Sequence, residues 1–173
     1  GDPDRGFGIS QPGSWCYNIL PFIELKQLHD MGKGQITQSK KLAANKLTRI
    51  PLEVMHCPTR RPAMLYGAAY FSNWVAINAT PNKVNDYLGA KTDYAGNCGD
   101  QDGWWNTFPG TIVEAANFGS WRNPDRMDGV TYQRSTVKTI HIIDGTSHTI
   151  MLGEKYLNAD MYRNGMDDGE NES

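Results

Sequence analysis

Between Ser14 and Met31 the apolar positions Trp15, Ile19, Leu20, Ile23, Leu28 and Met31 recur at spacings of about three to five residues, which predicts one side of a helical segment. Ser14 is placed to cap its start and Gly32 to end it. Pro21 lies inside, so the segment is expected in two pieces, the second beginning near the proline, whose missing N–H costs nothing in a first turn. From Ser39 to Arg49, Leu42, Ala43 and Leu47 share a face opposite lysines, and Pro51 stops the pattern, predicting a surface helix. Leu52 to Cys57 alternates weakly and exits through Pro58, as a short strand would. Further strands are expected at Tyr70 to Ile77, Thr92 to Asn97, Thr111 to Ala115 and Val130 to Gln133, between clusters of Gly, Asn, Asp and Pro. The clearest local pattern is at Val137 to Tyr156, where Asp144 and Gly145 form a tight turn and Thr149 to Tyr156 reads as the strand after it. The fold class expected is α+β, with helices first and then an antiparallel sheet with long loops.

Composition narrows the function classes. At 173 residues and 39% hydrophobic content the chain suits one globular domain. A net charge of -2 offers no basic excess for nucleic acid. The longest apolar stretch, Ala63 to Phe71, is far short of the roughly 20 residues that span a bilayer. Both ends read as cut from something longer. Charge is uneven: Lys33 to Arg61 carries seven basic residues against Glu53, whereas Asp160 to Ser173 carries five acidic residues against Arg163. Such polarity is able to join the two regions within or between molecules, although a solvated helix face and an acidic tail is the simpler reading.

The chemistry-bearing residues are sparse. No serine, cysteine or histidine sits in a nucleophile elbow or a triad context, and no glycine loop has the helix and lysine that cradle phosphate, so no enzymatic role is assigned. The cysteines Cys16, Cys57 and Cys98 lack metal-ligand spacing. Cys57 is 41 residues from each of the others, and a disulfide to Cys98 is preferred because both flank expected strands. Asp160, Asp167, Asp168 and Glu170, with carbonyls from Asn164 and Asn171, are oxygen ligands of the type calcium takes, although no cofactor is required. Asp93, Asp100 and Asp102 are a weaker alternative. Trp104, Trp105 and Trp121 among Asn and Gly are one way to build a glycan-binding face, and equally a way to anchor long loops. The sequons at Asn78 and Asn171 matter only where glycosylation machinery exists. Glu154 and Lys155 point to opposite faces of the last strand, and Glu154 is expected to pair with Arg60 or Arg61.

Four stretches carry a resemblance. Asp144-Gly-Thr-Ser-His-Thr-Ile-Met-Leu-Gly-Glu-Lys-Tyr-Leu157 is similar to the "DGTSNT…GEKYL" signature of a bacterial prepilin-like family with a domain of unknown function, abundant in planctomycetes. In family order, Gly13 to Glu24 resembles "GW…LLPYIEQ", Cys57 to Pro62 resembles "CPSRRP", and Thr92 to Asn97 resembles "DYAGN". Cys16 and His148 depart from the usual residues. The resemblance implies a single pilin-like domain over residues 1–173, exported to the cell surface, whose apolar N-terminal helix, the only membrane contact, and C-terminal H-X9-DG motif lie outside this sequence. It implies a structural subunit that self-assembles into a homo-oligomer, filament, pseudopilus or surface layer. The alternative is a cell-surface glycan-binding module with polysaccharide as partner. Independently of the resemblance, Asp144, Gly145, Thr146 and Ser147 suit a turn in which Gly145 takes positive φ and the other side chains satisfy backbone groups.

Overall fold

The computed structural model describes residues 1–67, 79, 88–100, 109, 111–119, 121 and 123–171. The N-terminal helical segment is broken more finely than its apolar spacing predicts. α1 (Trp15–Ile19) passes into a 3-10 turn at Leu20–Ile23, and α2 (Lys26–His29) follows. Pro21 explains the first break, and Glu24, left-handed at φ 63°, reverses the chain before α2. Gly32, at φ 83°, ends the segment as expected, and a Cβ there would meet Ala43 and Lys40, so the turn rests on the next helix. That helix, α3 (Thr37–Leu47), starts and stops two residues before the expected bounds.

Two small antiparallel sheets complete the α+β architecture. In one, β1 (Leu65–Gly67) pairs with β2 (Leu88–Ala90), and the Ala90 amide reaches the Thr48 carbonyl beyond α3 at 2.8 Å. In the other, β3 (Tyr94–Gly96) pairs with β4 (Leu152–Glu154), Ala95 facing Gly153. β3 and β4 fall inside the expected strands at Thr92 to Asn97 and Thr149 to Tyr156, and Gly145 takes the positive φ its turn requires.

Three expected strands take other forms. Leu52 to Cys57 contains a 3-10 turn at Glu53–Met55, closed by the His56 ring Nδ1 against the Leu52 carbonyl at 2.9 Å. Thr111 to Ala115 is instead α4 (Ile112–Ala116), because Thr111 accepts the Glu114 amide as an N-cap. Val130 to Gln133 is not a strand, since the amides of both Val130 and Thr131 turn in to one acceptor, the Asn97 carbonyl. The stretch Tyr70 to Ile77 lies outside the described residues.

Among the described residues the buried apolar set is small: Tyr17, Leu20, Ala44, Met55, Tyr66, Ala79 and Leu157. As many polar or charged residues are buried, namely Asp2, His29, His56, Arg61, Asp93, Lys155 and Glu170. Long loops are therefore held by specific polar bonds as much as by apolar burial. Gly129 marks one such place. A Cβ on it would lie 2.2 Å from the Cys98 carbonyl carbon and 2.3 Å from the Gly99 amide, atoms that cannot step aside without moving the loop. Gly129→Ala is thus expected to lower stability by about 2 kcal/mol or more, read as a fall in Tm of several degrees, whereas Gly119→Ala, whose Cβ would meet no atom of the described residues within 4 Å, leaves Tm within a degree or two.

Candidate functional site

The densest chemistry surrounds Asp93, which has no solvent exposure. Its Oδ2 accepts the Cys57 amide at 2.8 Å and its Oδ1 accepts Arg61 Nε at 2.7 Å. Its backbone is engaged on both sides, the amide donating to the Met55 carbonyl and the carbonyl accepting from the Lys155 amide. The Cys57 carbonyl accepts the amides of Arg60 and Arg61, so the turn from Cys57 delivers the Arg61 side chain back to the carboxylate. Arg61 then bridges outward: Nη1 donates to Glu170 Oε1 and to the Tyr162 carbonyl, and the guanidinium lies 4.6 Å from the centre of the Tyr66 ring. Lys91 Nζ stands 3.8 Å from the other Glu170 oxygen. Burial works to lower the Arg61 pKa, but Glu170 and Asp93 outweigh it and raise it, so the guanidinium stays charged. Burial lowers the Lys91 pKa against the opposing pull of Glu170.

This cluster fastens chain segments to one another. It gathers Cys57 and Arg61, Asp93, and Lys155, which come from three of the sequence motifs noted above, and it binds the C-terminal stretch through Glu170. Outside the cluster, desolvation pushes the half-buried Cys16 thiol up to about 11, against a Ser14 hydrogen bond that lowers it. The basic and acidic regions of the chain therefore meet within one molecule, through Arg61 and Glu170. Glu154 pairs with Arg60 at 3.3 Å, one of the two partners expected, but its side chain is 52% exposed and so it is a surface pair rather than a buried one.

The remaining site candidates are dispersed. Glu170 faces Arg61, while Asp167 accepts the amides of Asn158 and Gly169. Asp160 sits in a 3-10 turn capped by Asn158, and Asp168 begins another, Asp168–Asn171. Among the described residues no three His, Cys, Asp or Glu side chains converge as a metal would require. Asp93 is committed to Arg61, and Asp102 lies outside the described residues. The expected Cys57–Cys98 disulfide is not formed, and all three cysteines are free. Cys57 donates its amide to Asp93, whereas Cys98 lies beyond the end of β3, in the loop packed against Gly129. Trp104 and Trp105 lie outside the described residues. Trp121 donates to the Ala115 carbonyl at 3.2 Å, meets Phe118 edge-on and carries Arg134 over its ring, so it anchors α4 and is not a free stacking face.

Around the signature the turn is built by backbone and threonine. The Gly145 amide donates to Ile142, the His148 amide and Thr149 hydroxyl donate to the Gly145 carbonyl, and Asp144, Thr146 and Ser147 face solvent. What sequence reading missed is the exposure of the apolar residues flanking this turn, Ile140, Ile143, Ile150, Met151, Leu152 and Tyr156. The strand's alternation predicts that one face is covered, and only Lys155 and Leu157 are buried there.

Two outcomes test this arrangement. Arg61→Met leaves Asp93 and Glu170 buried without their cation, so a loss of about 3–5 kcal/mol is expected in denaturant unfolding, whereas Glu154→Gln changes stability by less than about 1 kcal/mol. In alkylation at about pH 8, Cys16 is expected to react slowly because almost none of it is thiolate, a rate that peptide mapping reads directly.

No curated protein and no solved structure matches the chain. A family model described as "Protein of unknown function (DUF1559)" matches residues 2–173. Since that match takes in nearly every residue, the Asp93 cluster and the signature turn included, the chain belongs to this family.

Proposed function

We propose that this chain is a pilin-like structural subunit of the cell exterior, forming a filament, pseudopilus or surface layer by association of identical copies. The observation that carries the reading is the placement of its apolar surface. Large side chains face outward in two separate regions: Phe7, Ile9, Phe22 and Ile36 in the N-terminal part, and Ile140, Ile143, Ile150, Met151 and Tyr156 around the signature turn. Phe7 and Phe22 are in contact, with ring centres 5.8 Å apart, and Phe7 also stacks on His29, so these two exposed rings form one pair. Isolated exposed apolar residues are ordinary, but grouped ones mark surfaces that a partner covers.

Two patches suit a polymer. A subunit with one self-complementary patch stops at a closed pair, whereas two distinct patches allow growth without closure. The motif resemblance supports the same reading. No helix among the described residues is long and apolar enough to cross a membrane, so the contacts invoked here are those of the folded surface.

Negative-stain microscopy of concentrated protein, without added ligand, is expected to show polymers of uniform width that are lost when Ile36→Lys and Ile143→Lys are combined. Dispersed particles at every concentration would overturn the subunit reading, and retention on polysaccharide that disappears in Trp105→Ala would put the glycan-binding module in its place.

A further inference from the structure

The β3–β4 ribbon has one covered edge and one open edge. The Asn97 amide bonds the Met151 carbonyl and the Lys155 amide bonds the Asp93 carbonyl, so in this antiparallel ladder positions 151, 153 and 155 turn their backbone groups toward β3. Leu152 and Glu154, which face Gly96 and Tyr94, must then turn theirs away from β3. Among the described residues no strand lies on that side. The far edge of β3 is treated differently: the Tyr94 amide is taken by the Thr92 hydroxyl, and Asp93 beside it holds Met55 and Cys57.

Open edges in monomeric proteins are usually guarded by lysine, proline, a bulge or an inward charge. β4 has no proline or bulge among its three residues, and its neighbouring charges do not stand on the open edge as repelling groups. Lys155 is buried, and Glu154 is already balanced by Arg60 of the same molecule. In the chain on either side of β4, Ile143 is 91% exposed, Tyr156 88% and Ile140 83%, with Ile150, Met151 and Leu152 between them in sequence.

We infer that the β4 edge is a docking surface for a second copy of this chain, the two β4 strands pairing antiparallel about a two-fold axis to join two ribbons into one four-stranded sheet. The inference rests on the subunit reading only in taking the partner to be an identical copy. Charge permits it, since the one carboxylate on β4, Glu154, is offset by Arg60 of the same molecule. Area supports it as well. At roughly 100 Å² of apolar surface for each large aliphatic side chain, and more for tyrosine, the six residues present on the order of 500 Å² per copy. Two copies then bury on the order of 1,000 Å², the threshold of a specific interface, before the strand backbones add theirs. Outward-facing Leu152 and Glu154 supply the ladder that sets direction, and the apolar flanks supply burial.

The test is sedimentation equilibrium of the full 173-residue chain from low to high micromolar, with residue-resolved hydrogen exchange at both ends of the range. The expected result is a mass rising from 19.3 kDa toward twice that value, with the Leu152 and Glu154 amides slowed only at high concentration. Leu152→Lys is expected to weaken the association about tenfold or more, and Ile143→Lys, which lies off the strand, does the same while circular dichroism stays unchanged. A folded wild-type chain that remains monomeric overturns the proposal, as do Leu152 and Glu154 amides already protected in the monomer, which would mean that the edge is covered by its own chain. Polymers that persist in Leu152→Lys, with both amides exchanging quickly, overturn this edge and leave the subunit reading intact. Dimers that form through β4 and never grow uphold the edge and remove the subunit reading.

Discussion

Asp93 is the point on which the rest of the structure depends. A carboxylate with no access to water is tolerated only when it is paired with a charge and hydrogen-bonded. Here a backbone amide from Cys57 and the guanidinium of Arg61 answer it at 2.8 and 2.7 Å. Those bonds fix the turn from Cys57 to Arg61 against the start of β3. Arg61, being buried, in turn requires Glu170 and the Tyr162 carbonyl, which draws the C-terminal stretch across. The Asp93 carbonyl takes the Lys155 amide and so begins the β3–β4 ladder. One buried charge thus obliges four regions distant in sequence to meet.

This accounts for how a chain with so few buried apolar side chains holds its long loops. Asn97 plays a smaller version of the part, with its amide and side chain on Met151 and Ile150 and its carbonyl on Val130 and Thr131. Stability is concentrated in polar junctions, which specify partners by geometry, whereas apolar burial is less selective. The consequence is that apolar residues are left over. With the ribbon held from the Asp93 side, its free edge and flanking side chains face outward, where association with another surface is their only route to burial.

Much of the architecture was legible in the chain. Pro21 and Gly32 marked a break and an end in the first helical segment, Gly145 took its positive φ, and β3 and β4 lie within the stretches their alternation indicated. Thr111 and Glu114 carry the threonine-x-x-glutamate pattern of a helix start, yet the β-branched run between them spoke for a strand, and the cap won. Leu52 to Cys57 misled for the opposite reason. Its weak alternation was real, but a histidine side chain closing on its own backbone made a turn instead. The site was less legible. The motifs named Arg61, Asp93 and Lys155 without saying that they touch, and Glu170 looked like a metal ligand because an acidic cluster in sequence carries no record of the guanidinium it faces. Contacts across 32 and 109 residues are set by topology, which local patterns do not encode.

The most direct test of the Asp93 junction is native-state hydrogen exchange of the amides it organises. If Asp93 holds the segments as one unit, the amides of Cys57, Asp93 and Lys155 open together, with the same free energy and the same denaturant dependence. A Lys155 amide that exchanges by its own, lower-energy opening while Cys57 stays protected would show that the ribbon stands without the cluster, and would contradict the account.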